Sequence, residues 1–424
     1  MGGIFRHVIT VAALSIALLA LITGTVFAQA SECSKKRHVG THALDEFTWK
    51  QLNNVYEDVG EKHYDEAYDQ LQKMLARAGK GSYLRSVLNQ ALAQVEWSRE
   101  NYDAALEYFE KAVELDALPD PTHFALMYQI AQLYFMQERY REALDKLELW
   151  FCKSPGDKIT SSAWVLKASI YAQQENYAET LKAIDLAIGM DDDPREQWYQ
   201  LKLASHYELE QYPQAAQTLE LIIARWPEEK TYWIQLSQIY FKLKQDEKAL
   251  AVIALAYRKA LLDTQGDITY LSNLYSNSDL PFRAAQVLEK GIKDGVVEPS
   301  RVHWTAVADS WYAAEELENS LLAYEIAGEV SDDGKIDLRR GYILVDLERW
   351  PDALKALQDA LGKGGLTERE TGEAYLLRGM TQFNLGNFDN ASADWIKAGR
   401  YDRTRDAARQ WMNHLREERQ RKAP

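Results

Sequence analysis

The chain has 424 residues, 46% hydrophobic and 27% charged, which is enough apolar material for a sizeable core. Its formal net charge is −15, from 49 basic and 64 acidic residues. A surface this acidic repels phosphate backbones and anionic headgroups, so nucleic acid and membrane-surface binding are disfavoured and basic partners favoured.

The first element, residues 1–30, has the layout of a secretory signal peptide. Arg6 and His7 precede an apolar run from Val8 to Leu21, and Ala28-Gln29-Ala30 supplies the small residues that a signal peptidase accepts. The expectation is cleavage and export, with an uncleaved anchor as the alternative, because the apolar stretch to Ala28 approaches the ~20 residues that span a bilayer. Residues 31–47 read as a polar N-terminal arm carrying Cys33. The chain's other cysteine is Cys152. In an oxidising compartment the two could bridge, which in the chain-entropy model contributes roughly 4–5 kcal/mol. Two unpaired thiols are the other reading.

From Thr48 onward the chain repeats itself. An aromatic-x-x-Ala pattern recurs as Tyr64/Ala67, Tyr102/Ala105, Tyr140/Ala143, Tyr177/Thr180, Tyr212/Ala215, Asp246/Ala249, Phe282/Ala285, Leu317/Ser320, Trp350/Ala353 and Phe388/Ala391. Successive spacings run from 33 to 38 residues. Two helices approach closely only where a side chain is small enough to admit a neighbour, which explains the small residue at one phase. Seven residues on, Ala112, Ala187, Ala256, Ala327, Ala360 and Ala398 offer a second contact, which Met74, Trp150, Ile222 and Ile292 interrupt.

Ahead of each pair lies another amphipathic segment, with Trp164, Ala168 and Tyr171, then Trp233, Ser237 and Tyr240, then Trp304, Ala308 and Trp311, then Tyr375 and Gly379. Large, small and aromatic residues at i, i+4 and i+7, with a period near 34, resemble the tetratricopeptide signature. That resemblance implies an all-α tetratricopeptide-repeat (TPR) solenoid of about ten helix hairpins over residues 48–400, wound as a right-handed superhelix. Residues 401–424 read as an amphipathic capping helix with a basic tail.

Catalytic patterns are absent. There is no nucleophile elbow, phosphate loop or His-Glu-x-x-His. His38 and His42 are four apart near Cys33, but no third ligand is close, and the acidic run Asp191-Asp192-Asp193 lacks the alternation and glycine of a calcium loop. The reading is a non-enzyme with no cofactor, no metal and no small-molecule substrate. In this repeat family the first helix of each pair lines the concave groove, and counting along it gives Trp97, Phe135, Tyr207, Phe241, Tyr312 and Phe383 as candidate protein-binding residues.

Several stretches carry a narrower resemblance: Gln286-Val287-Leu288-Glu289-Lys290-Gly291-Ile292, Arg225-Trp226-Pro227 with Tyr232-Trp233, Ala360-Leu361-Gly362-Lys363-Gly364-Gly365, and Ala408-Arg409-Gln410-Trp411. With the signal sequence, the chain resembles periplasmic tetratricopeptide proteins that accompany TonB energy-transduction systems. The resemblance implies a periplasmic scaffold whose partners are proteins, the periplasmic part of TonB or ExbD, in a TonB–ExbB–ExbD transport assembly. The alternative is a periplasmic assembly factor for outer-membrane or cell-wall complexes.

Overall fold

The structure is a computed structural model that describes residues 37, 39, 43–329 and 333–421. The signal peptide, Cys33, His38 and His42 lie outside the described residues. Among those described there is no strand, and no helix is long and apolar enough to cross a membrane. The chain divides into two compact units, Met1–Ala215 and Ala216–Pro424.

The first unit holds α1 (Glu46–Gly60), α2 (Tyr64–Arg77), α3 (Ser82–Ser98), α4 (Tyr102–Glu114), α5 (Asp120–Met136), α6 (Tyr140–Lys153), α7 (Ser161–Gln173), α8 (Tyr177–Gly189) and α9 (Glu196–Glu208). Helix α10 (Tyr212–Arg225) carries the chain into the second unit. There follow α11 (Lys230–Lys242), α12 (Asp246–Arg258), α13 (Gln265–Asn277), α14 (Pro281–Lys293), α15 (Arg301–Ala313), α16 (Leu317–Glu329), α17 (Lys335–Asp346), α18 (Trp350–Lys363), α19 (Glu368–Asn384), α20 (Phe388–Ala398) and α21 (Arg405–Arg421). Within each unit every helix packs on the next, so the hairpins stack in chain order.

Most of these helices are 11 to 15 residues long and would be marginal alone. Tertiary packing of one face stabilises them. In the first unit one core joins Phe109, Met127, Ile130, Leu133 and Leu147, contributed by α4, α5 and α6. Burying a side chain of that size contributes about 1.5–3 kcal/mol. Local signals set the ends. Thr264 and Asp267 form a capping box at α13, as do Thr367 and Glu370 at α19. Helix α21 packs Ala408 and Leu415 into one cluster with Trp395, while Trp411 stacks on Trp395 at 5.3 Å.

The repeated small residue lies where the helices meet. Ala67, Ala105, Ala143, Thr180, Ala215, Ala249, Ser320, Ala353 and Ala391 are all 0% exposed, each the fourth residue of its helix. The seventh repeat departs from the sequence phase. Its second helix starts at Pro281, one residue before Phe282, so Ala284 is the equivalent of those residues and Ala285 follows it. The Ala284 N–H bonds to the carbonyl of Leu280, as the Ala249 N–H does to Gln245. The second contact is therefore Gly291, not Ile292. It is tighter than alanine, because a Cβ on Gly291 would lie 2.7 Å from Ile268 Cγ2. Met74, Trp150 and Ile222 do occupy the second contact in their repeats, and Trp150 and Ile222 are buried there.

The turn inside each hairpin is one motif repeated. Lys62, Glu100, Glu138, Glu175, Glu210, Lys244, Asp279, Glu315, Glu348 and Gly386 have positive φ, each two residues before the second helix. Around Glu138, the Arg139 N–H bonds to the Tyr134 carbonyl at 2.9 Å and the Glu138 N–H to Phe135 at 3.0 Å. This is the Schellman pattern, which satisfies the last carbonyls of the first helix. Only one of these left-handed positions, Gly386, is glycine.

Candidate protein-binding face

The six aromatic candidates share one place in this turn. The carbonyls of Trp97, Phe135, Tyr207, Phe241, Tyr312 and Phe383 each accept the N–H of the left-handed residue three positions on, at 2.9–3.0 Å. The turn holds the end of the first helix against the start of the second. The residue five positions along is the first of the second helix.

Where that residue is aromatic, the rings pair. Trp97 meets Tyr102 at 5.5 Å, Phe135 meets Tyr140 at 5.8 Å, Tyr207 meets Tyr212 at 5.6 Å and Phe383 meets Phe388 at 5.4 Å. Such pairs add about 0.5–1.5 kcal/mol beyond burial. Trp97 and Phe135 also border the first unit's core, and Phe383 borders the cluster under α21. These three are half-buried and belong to the packing of their own hairpins.

The other three present their rings to solvent. Tyr207 is 50% exposed, Phe241 49% and Tyr312 45%. After Phe241 and Tyr312 the fifth residue is Asp246 and Leu317, so neither has a ring to pair with there. The Tyr312 hydroxyl donates to Asp346 Oδ2 on the next hairpin's first helix at 3.5 Å, and burial raises its pKa above the usual phenol value. Single exposed apolar residues are ordinary on a surface. Within the second unit, the exposed rings of Phe241 on α11 and Tyr312 on α15, at one structural position of their hairpins, offer flat anchors at low entropic cost. The face is suited to holding a polypeptide.

Sequence reasoning missed two features. Arg37, from the N-terminal arm, is almost wholly buried and donates to Asp116 at 2.6 Å, Asp120 at 2.5 Å and the Leu118 carbonyl at 2.8 Å, over the ring of Phe124. The arm is thus fastened where the second and third hairpins meet. Cys152, near the end of α6, carries no free thiol, and Cys33 lies outside the described residues. The second feature is a cavity of about 500 Å³ beside Tyr312. Its polar residues read in sequence as solvated helix faces. Among the described residues no group of three or more His, Cys, Asp or Glu could hold a metal ion.

Comparison with known proteins places this architecture. Family models described as tetratricopeptide repeat match residues 83–149, 161–194, 204–260 and 338–411, together more than half of the chain. No curated protein matches it. Among solved structures, a tetratricopeptide repeat protein from Parabacteroides merdae is 14% identical, with a TM-score of 0.36 over 68% of this chain and 94% of that one. YrrB, described as a TPR protein with an unusual peptide-binding site, is 15% identical, with a TM-score of 0.35 over 43% of this chain and 89% of its own. A chain of the APC/C hetero-tetramer Cut9–Hcn1 is 11% identical, with a TM-score of 0.30 over 87% and 83%. By its matched repeats and stacked hairpins, this chain belongs to the tetratricopeptide-repeat proteins.

Proposed function

We propose that this protein is a non-catalytic scaffold that holds a segment of another protein along the first helices of its hairpins. The observation that carries this reading is the exposure of Phe241 and Tyr312 in the second unit, at the structural position where the half-buried Trp97, Phe135 and Phe383 pack within their hairpins. Tetratricopeptide-repeat proteins generally act as protein-interaction scaffolds.

The finer reading is a periplasmic accessory of a TonB–ExbB–ExbD transport assembly, engaging the periplasmic part of TonB or ExbD. It rests on the export-signal layout of residues 1–30 and on the family-like stretches around Gly291 and Trp411. The net charge of −15 would steer a segment that is basic overall, and the aromatic anchors would set its residence time. Chemical crosslinking of intact envelopes, followed by affinity capture and mass spectrometry, tests both levels. TonB or ExbD among the crosslinked partners is expected. Outer-membrane or cell-wall assembly proteins would favour the alternative role, and a mature protein found in the cytosol would end the periplasmic reading.

A further inference from the structure

In a stack of hairpins each unit contacts only its neighbours, so a terminal hairpin is held on one side alone and opens first. At the C-terminal end α21 packs against α20. At the other end no helix precedes α1 among the described residues, and Phe47, Trp49 and Tyr56 on it stay exposed. The N-terminal arm reaches α1 instead. Leu44 packs against the core that joins α1, α2 and α3, and Asp45 caps α1 by accepting the Thr48 N–H at 2.9 Å.

The same arm is anchored again where the second hairpin meets the third. Arg37 uses Nε on Asp116, Nη1 on Asp120 and Nη2 on the Leu118 carbonyl, so each nitrogen of its buried fork has an acceptor. Asp116 and Leu118 lie in the connection between α4 and α5, and Asp120 opens α5. Cys152, on α6 of the third hairpin, belongs to the same neighbourhood. The residue after it, Lys153, acts together with Arg37 on the imidazole of His123, whose Nε2 lies 3.7 Å from Asp116. Cys152 has no free thiol, and the sequence holds one other cysteine, Cys33, four residues before Arg37. Four residues of chain reach at most about 14 Å, which keeps Cys33 close to the seat of Arg37.

We infer that the arm is a covalent strap: a Cys33–Cys152 disulfide joins it to the third hairpin, and through Arg37 and Leu44 it ties the first three hairpins into one cooperative block. The bridge forms when the two thiols give up two protons and two electrons to a disulfide-class oxidant, which is reduced to thiols. An oxidising compartment supplies such an oxidant, so the block locks there and stays unlocked where thiols are kept reduced. The strap does for the bare end of the array what a capping helix would do. This goes beyond the scaffold reading and does not depend on what the array binds.

The test compares the full chain oxidised with glutathione disulfide and the same protein reduced with dithiothreitol. Peptide mapping without reductant should recover the peptides of Cys33 and Cys152 as one linked species from a monomer. Hydrogen exchange should show the amides of α1 and α2 opening about tenfold faster after reduction, with those of α18 and α19 in the second unit unchanged. Cys152→Ser, at an exposed position, should keep its helical circular dichroism and exchange at the reduced rate with or without oxidant. Arg37→Gln, with the bridge intact, should fall between the two. Free thiols after oxidation, or a bridge between two copies of the chain, overturns the inference. So does equal exchange in α1 and α2 before and after reduction of the folded protein.

Discussion

The hydroxyl of Ser237 on α11 donates to the backbone carbonyl of Ala249 on α12 at 2.8 Å, tying two fully buried small residues together. The next hairpin repeats the contact with Ser272 and the Ala284 carbonyl at 3.0 Å. In the one after, the direction reverses, from Ser320 to the Ala308 carbonyl at 2.8 Å. The short reach of a serine hydroxyl measures how closely the two helices approach. Ala249→Leu should therefore destabilise the protein by about 1–3 kcal/mol through overpacking. Ser237→Ala, which keeps the space and loses the bond, should cost about 1 kcal/mol. Urea titration followed by circular dichroism checks both, and equal effects would mean that space is not what the position controls.

Gly291 and Gly379 mark close approaches of the same kind. A Cβ on Gly379 would fall 2.5 Å from Trp395 Nε1, inside the cluster under α21. Gly379→Ala should cost about 1–3 kcal/mol. Gly291→Ala, facing the β-branched Ile268, should cost a similar amount. Gly362→Ala, where a Cβ meets nothing within 4 Å, serves as the control and should be neutral or slightly stabilising.

The left-handed turn residues are a reserve of stability. Glu138 has a φ of 59° and an exposed side chain. A non-glycine residue in this region costs ~1–2 kcal/mol, partly offset by the entropy that glycine loses on folding. Glu138→Gly should raise stability by about 0.5–1 kcal/mol, and Glu138→Val should lower it by at least as much. Melting temperatures of the two variants would move in opposite directions.

His123 gives the fold a dependence on pH. Its imidazole is buried, and burial together with the Arg37 guanidinium pushes its pKa down from 6.5 to about 4. Lys153 acts in the same sense, against Asp116 and Asp120. Between pH 6.5 and 4 the unfolded chain binds more protons than the folded one, so stability falls as pH falls through that window. The loss is on the order of 2 kcal/mol. In His123→Gln the slope of stability against pH over the same range should flatten.

The repeat phase was legible because one physical requirement, a small side chain at a close crossing, recurs along the chain. It failed by one residue at Phe282. An aromatic there imitates the pattern, but the left-handed turn at Asp279 starts the helix at Pro281. The candidate face was half legible. Counting along the first helix found all six aromatics, yet exposure depends on what packs round each ring once the hairpins stack: Trp97 borders the first unit's core, whereas Tyr207, also paired with a ring, stays 50% exposed. The cavity was not legible, because Lys335, Arg339 and Glu373 come together only when neighbouring hairpins stack.

The central claim, that exposed rings on the first helices hold a protein, is tested most directly by the double variant Phe241→Ala/Tyr312→Ala. Capture of crosslinked envelope partners should drop severalfold while the helical circular dichroism and melting temperature stay close to the wild type. Undiminished capture by a folded double variant, or collapse of its helicity, would contradict the account.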